Sequence, residues 1–206
     1  MRRKGITTVL CAAMMSALVF AAPTFAEDVT EAVTESVSEA ASSDEEVSFE
    51  LPIILTSAGQ SADVDIADTL CKKAGIDEYM NATISADEVT DQYKTLIIAV
   101  GGSSKGLGAA GIDADEELER VEAVIEKAKE EGLTILAMHT GGSARRGTLS
   151  DKFLEPVFSQ ADAAIVVSEG DQDNAMKDII DEAKIDSYYI DNAVGALEVL
   201  QTLFAE

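Results

Sequence analysis

Three stretches rich in glycine and hydroxyl side chains each follow a short apolar run. They are Thr56-Ser57-Ala58-Gly59-Gln60-Ser61, Gly101-Gly102-Ser103-Ser104-Lys105-Gly106-Leu107-Gly108 and His139-Thr140-Gly141-Gly142-Ser143-Ala144-Arg145-Arg146-Gly147. The third holds the only histidine of the chain and two of the three arginines outside its first residues. Guanidinium groups bind carboxylate or phosphate in a two-pronged way, so Arg145 and Arg146 point to an anion. The competing assignment pairs both with surface acids, which are abundant. His139 suits a ligand hydrogen bond or a general base. A lone histidine is more often structural.

The first stretch offers hydroxyls and backbone N–H groups beside a helix start, which also suits an anion. Ser57, Gln60 and Ser61 are its candidate ligand contacts; an ordinary turn with a serine cap is the alternative. In the second, Gly101, Gly102, Ser103, Ser104 and Lys105 are candidates, against a plain solvent loop. Its Gly106-Leu107-Gly108-Ala109-Ala110-Gly111 satisfies the dinucleotide spacing only formally. It starts about six residues after the apolar run, and no acid ends the next strand. The phosphate-loop pattern fails because Lys105 precedes Gly106. In the third stretch Gly141 and Gly142 join His139, Arg145 and Arg146. Ser57, Ser103, Ser104 and Ser143 are nucleophile candidates by location alone, since no Gly-x-Ser-x-Gly elbow is present. Asp162, Asp171 and Asp173, near the fifth strand, are candidates to orient His139, though nothing in their spacing requires it. No metal site is expected from one cysteine and one histidine after the leader. No cofactor is expected either: the chain has no Trp, and neither of the other two glycine-rich stretches carries an aromatic to stack on a flavin.

Those stretches need a frame. Leu51–Thr56, Lys94–Val100, Leu133–His139 and Ala163–Ser168 read as strands, with weaker ones at Tyr79–Ile84 and Ser187–Ile190. The first four are continuous apolar runs, suited to burial on both faces. Between them lie helical patterns: Ser61–Ala74, stopped by Gly75; a short one at Ala86–Gln92; a long one opened by the Asp113/Glu116 capping pair and stopped by Gly132; Ser150–Gln160; Asn174–Ala183; and Asn192–Phe204. Glu116 precedes Arg120 by four, a favourable pairing. The succession predicts an α/β fold, three-layered and doubly wound. Its sheet is mainly parallel, of five or six strands, in flavodoxin-like or Rossmann-like order. All three glycine-rich stretches then fall at the carboxyl ends of strands, where open α/β sheets bind ligands.

Residues 1–26 read as a signal peptide. Arg2, Arg3 and Lys4 precede the apolar Ile6–Ala22, and cleavage is expected after Ala26. An uncleaved anchor is the rival assignment. Leu10 before Cys11 argues against lipidation. Residues 27–50 hold nine acids and no basic residue, and read as a solvated, disordered tether. Residues 51–206 read as one domain with 30 acids and 12 basic side chains. Such acidity argues against nucleic acid and against anionic membranes. A secreted or cell-envelope location follows, without membrane insertion after cleavage. Cys71 reads as a small buried thiol.

Gln60, the stretch from Gly101 to Ile112, and the stretch from His139 to Phe153 together resemble an uncharacterised family of exported bacterial α/β domains. The resemblance spans nearly all of residues 51–206. It implies a compact extracytoplasmic domain with its site at these loops, and it brings no activity. Three functions fit, in this order: binding of a small anionic or polar metabolite, hydrolysis or group transfer with His139 as base, and a protein-interaction module whose partner is unknown.

Overall fold

The computed structural model describes residues 47–205, so the signal peptide expected over 1–26 and most of the tether expected over 27–50 lie outside the described residues. Six parallel strands form one sheet in the order β2-β1-β3-β4-β5-β6. They are β1 (Ile53–Ala58), β2 (Glu78–Met80), β3 (Thr95–Val100), β4 (Thr134–His139), β5 (Ala163–Val167) and β6 (Asp186–Ile190). The first five follow the flavodoxin-like order, and β6 extends the sheet beyond β5. The helices are α1 (Asp63–Ala74), α2 (Ser104–Ala110), α3 (Ala114–Glu130), α4 (Thr148–Asp151), α5 (Leu154–Phe158), α6 (Ala175–Ala183) and α7 (Ala196–Leu203).

Every residue of β1, β3 and β5 is buried. That is why these strands read as unbroken apolar runs: helices cover both faces of the sheet. On one face Ile54, Leu96, Ile98, Ile135 and Ala137 pack with Val121, Val124 and Ile125 of α3 and with Phe158 of α5. On the other, Ile53, Leu55, Ile97, Leu136 and Met138 pack with Val64, Ala67 and Leu70 of α1 and Leu200 of α7. Each fully buried aliphatic side chain contributes about 1.5–3 kcal/mol relative to an exposed one.

Local signals explain most boundaries. Gly75 adopts the left-handed conformation and closes α1. Asp113 caps α3 and Glu116 returns the bond, completing the capping box. Four elements differ from the sequence-based expectation. The glycine-rich stretch after β3 forms α2, because Ser103 caps it through the Gly106 N–H. The helix expected over Ser150–Gln160 is split into α4 and α5. The short helix expected at Ala86–Gln92 is a single 3-10 turn, Ala86–Glu88, and the second strand shortens to Glu78–Met80. The end of the acidic segment also belongs to the domain. Phe49 is buried and its ring meets Phe204 at 5.8 Å. Ser48 O accepts from Thr134 Oγ1, and Glu50 bonds Thr95 through both N and O, at the amino-terminal edge of the sheet.

Candidate functional site

The three glycine-rich segments meet at the carboxyl-terminal edge; backbone hydrogen bonds lock the first two together, and the Arg145–Asp63 ion pair ties in the third. Gly101 N donates to Ala58 O at 2.9 Å and Ser103 N to Gly59 O at 2.8 Å. Gln60 and Gly102 form an antiparallel bridge. Gly102 N donates to Ser150 Oγ at 3.0 Å, tying α4 to the same cluster. Gly106 is glycine because α2 crosses directly over the Gln60 carbonyl, which any side chain there would strike.

A buried ion pair on α3 fixes the first segment. Glu117, with no exposed surface, accepts from Gly59 N at 2.9 Å and Gln60 Nε2 at 3.0 Å. Arg120 donates to Glu117 from Nε at 2.8 Å and reaches onward to Ser57 O at 2.5 Å and Ile84 O at 2.8 Å. The pairing of Arg120 with Glu116 expected from sequence is replaced by this one, since Glu116 serves the Asp113 cap. Gln60 also donates to Ala82 O at 2.8 Å. Its amide nitrogen is therefore a clip between loops, with no hydrogen left for a ligand.

The cations of the third segment divide. Arg146 is fully committed: Nε donates to Asp151 Oδ1 at 2.8 Å, and Nη1 to Asp173 Oδ1 at 2.8 Å and Gly170 O at 2.5 Å. The two carboxylates raise its pKa further, and Arg146 in turn holds Asp173 down to about 2. This is the pairing with acids weighed from sequence. Arg145 differs. Its Nε donates to both oxygens of Asp63 at 3.1 Å, and Asp63 is almost wholly buried at the start of α1. Nη1 and Nη2 of Arg145 have no acceptor among the described residues, and the side chain keeps 29% of its surface open. Its carbon chain runs between Gly101 and Gly141.

His139 has no exposed surface. Its Nε2 lies 3.1 Å from Arg145 O, which requires the proton on Nε2 and leaves Nδ1 as acceptor. Nδ1 is buried without a hydrogen-bond partner and packs against Gly170, where an added Cβ would lie 2.9 Å away. Burial lowers the His139 pKa, more than the Arg145 carbonyl and Asp63 restore it. A neutral, enclosed imidazole supports the loop that carries Arg145. Asp171, proposed as its orienting acid, instead caps α6 through Met176 N and Lys177 N and accepts from Tyr189 Oη. Asp162 accepts from Ile135 N at the opposite end of β4.

The hydroxyls also divide. Ser103 Oγ caps α2, Ser150 Oγ accepts from Gly102 N, and Ser143 Oγ donates to Glu169 at 2.8 Å. Ser61 Oγ accepts from Asp63 N. Ser57 Oγ and Thr140 Oγ1 are buried at the ends of β1 and β4 without a hydrogen-bond partner. Ser104 and Lys105 stand exposed on the first turn of α2, and Gly142 is buried at positive φ beside Glu169. Beside the cluster, a groove of about 520 Å³ runs between α1, α2 and the end of β2, with Ser61 and Lys105 on its wall. Cys71 is enclosed, its thiol pushed up to about 12 by burial and by the negative Glu78 nearby.

Sequence reasoning missed Asp63, Glu117 and Arg120 as members of this rim. Glu117 sits four residues before Val121 and so on the stripe that α3 buries, a signal visible in the sequence. Asp63 opens α1 next to the glycine-rich segments, which marks it as the partner within reach of a nearby cation.

Fold and rim define the molecule as a six-stranded parallel α/β domain with a polar cluster at the carboxyl ends of its strands. Residues 50–204 match the model of a domain of unknown function, DUF6305, and the chain belongs to that family. No curated protein matches the chain in sequence. Among solved structures, the psychrotrophic esterase EstA from Pseudoalteromonas sp. aligns with a TM-score of 0.30 at 10% identity, covering 73% of this chain and 93% of that one. TesA aligns at 0.31 and 11% identity, covering 74% and 95%. AlinE4, an SGNH-hydrolase family esterase, aligns at 0.31 and 10% identity, covering 73% and 79%. Likeness at this level says nothing about the chemistry of the rim.

Proposed function

We propose that the chain is an extracytoplasmic domain that binds a small anionic or polar molecule at the carboxyl ends of β1, β3 and β4. One observation carries this: Arg145 is held by Asp63 through Nε alone, so the two-pronged end of its guanidinium stays available for a ligand carboxylate or phosphate. The buried hydroxyls of Ser57 and Thr140 lie at the ends of the flanking strands and lack partners, which is consistent with a polar occupant. Lys105 adds a second cation at the rim. Gln60, Arg146 and His139 act behind this surface, holding the loops in place.

Hydrolysis with His139 as base is less well supported. A general base must reach its proton directly or through one water, and His139 is enclosed on every side. An interface core favours aromatic residues, whereas this rim is glycine and hydroxyl.

The test is thermal shift of the protein against phosphate and a panel of small carboxylates, alongside Arg145→Gln and Arg145→Lys. Stabilisation by at least one anion that is lost in Arg145→Gln is expected. Equal responses of all three proteins to every anion would overturn the proposal. Circular dichroism establishes that the variants are folded.

A further inference from the structure

Resting on that function, we infer that His139 gates the anion site by pH: protonation of the buried imidazole opens the loop that carries Arg145 and releases the anion. The link between the two is direct. His139 Nε2 holds the Arg145 carbonyl at 3.1 Å, and the guanidinium of the same residue is the open cation of the site. Two turns, Gly142–Arg145 and Ser168–Asp171, close over the ring. A Cβ at Gly170 would stand 2.7 Å from the imidazole Cε1, 2.9 Å from Nδ1 and 3.1 Å from the Gly142 carbonyl carbon, so ring and turns are packed without space between them. Arg146 Nη1 on Gly170 O and Ser143 Oγ on Glu169 complete the closure.

Nδ1 is the sensitive atom. It is buried without a hydrogen-bond partner among the described residues. In the neutral ring it is an acceptor, whereas the imidazolium carries a hydrogen on both nitrogens. A buried charged donor with nothing to accept from it is far more costly than an idle acceptor. The carboxylates carried by the surrounding elements are engaged elsewhere. Asp63 of α1 holds Arg145, Asp151 of α4 and Asp173 hold Arg146, Asp171 caps α6, and Glu169 accepts from Ser143. On α3, Glu117 and Arg120 pair with each other. Burial holds the His139 pKa below the ordinary imidazole value, and the charge of Arg146 acts the same way.

A proton at Nδ1 therefore needs water or an acceptor brought to it, and that requires the two turns to part. Gly141 and Gly142 make the moving backbone permissive. As the loop leaves, the Arg145 backbone loses its hold on the ring and the guanidinium loses its place beside Asp63. The coupling has a sign that separates it from plain attraction. An anion resting beside an imidazolium would raise the pKa of His139. An anion that binds only the closed, neutral form lowers it, because proton and anion then oppose each other by linkage.

The chain has a single histidine, so imidazole nitrogen resonances report this ring alone. The protein is titrated with acid by nuclear magnetic resonance, without and with trifluoroacetate or sulfate, which stay fully ionised across the range. Nδ1 should gain its proton below the ordinary histidine pKa, and amide exchange at Gly141–Arg146 and Ser168–Asp171 should quicken in the same step, with far-ultraviolet circular dichroism unchanged. Added anion should lower that pKa further, and its Kd should rise by up to about tenfold per pH unit below the step. His139→Gln, which keeps a donor for the Arg145 carbonyl and does not titrate, should bind with a Kd independent of pH; if it does not fold, the resonance titration of the parent decides. A pKa raised by anion, a proton taken up with both turns still protected, or loss of the whole fold in the same step overturns the gate. The anion site survives any of these as long as Arg145→Gln abolishes binding at neutral pH. Absence of binding by the parent at neutral pH overturns both.

Discussion

Replacing Arg120 with Met should unlock the rim from behind. The guanidinium is largely enclosed and donates to Glu117, Ser57 O and Ile84 O. Glu117 has no exposed surface and also holds Gly59 N and Gln60 Nε2. Without Arg120 its carboxylate is a buried charge lacking a counter-ion. Removing one partner of such a pair costs about 3–5 kcal/mol, which lowers the midpoint of thermal unfolding by about 6–20 °C for a domain of this size. The double variant Glu117→Leu/Arg120→Met removes both charges and should recover part of the loss. It still leaves the Gly59 N–H and one hydrogen of the Gln60 amide without an acceptor, at about 1–3 kcal/mol for a buried donor. Urea unfolding followed by far-ultraviolet circular dichroism gives all three values by linear extrapolation. A loss below about 1 kcal/mol in Arg120→Met, or a double variant weaker than the single one by the full sum, would refute the assignment of a coupled buried pair.

Two further outcomes follow from named groups. Burial and the adjacent Asp68 push the Glu78 carboxyl up to about 6, against the pull of Lys72, so the fold favours its protonated form. That contribution is complete below about pH 4.5 and is lost as pH rises through about 6, while enclosed His139 works oppositely, its contribution complete above about pH 6.5 and lost on acidification. Glu78→Gln should therefore leave stability rising with pH between those values, more steeply than in the parent, and parallel urea midpoints would refute it. In α2, a Cβ at Gly108 would meet nothing within 4 Å. Gly108→Ala should accordingly stabilise the domain by about 0.5–1 kcal/mol in the same denaturation assay, and a loss would show that the backbone there needs glycine.

The sheet was legible because it is covered on both faces. β1, β3, β4 and β5 bury nearly every residue, and continuous apolar runs are what such strands look like in sequence. The capping box of α3 and the left-handed Gly75 were equally plain. α2 was not, since its glycines at 106 and 108 are poor helix formers, and it is tertiary contact with Gln60 and the Ser103 cap that decide the matter. The division between Arg145 and Arg146 was not legible either. Adjacent residues of one type project in different directions, and which meets an acid depends on where Asp63, Asp151 and Asp173 are carried by their own elements. The enclosure of His139 depends on Gly170, thirty-one residues further along, whose missing side chain lets the next loop close over the ring.

The anchoring of Ser48 and Glu50 to Thr134 and Thr95 sets where the chain can be gripped. Those threonines begin β4 and β3, so the segment enters on the far side of the sheet from Arg145, separated by the length of a six-residue strand, about 20 Å. A sensor chip coupled to residues upstream of Ser48 would therefore hold the protein with its glycine-lined mouth turned toward the flowing solute. Coupling through the lysine of α2 would press that mouth against the support.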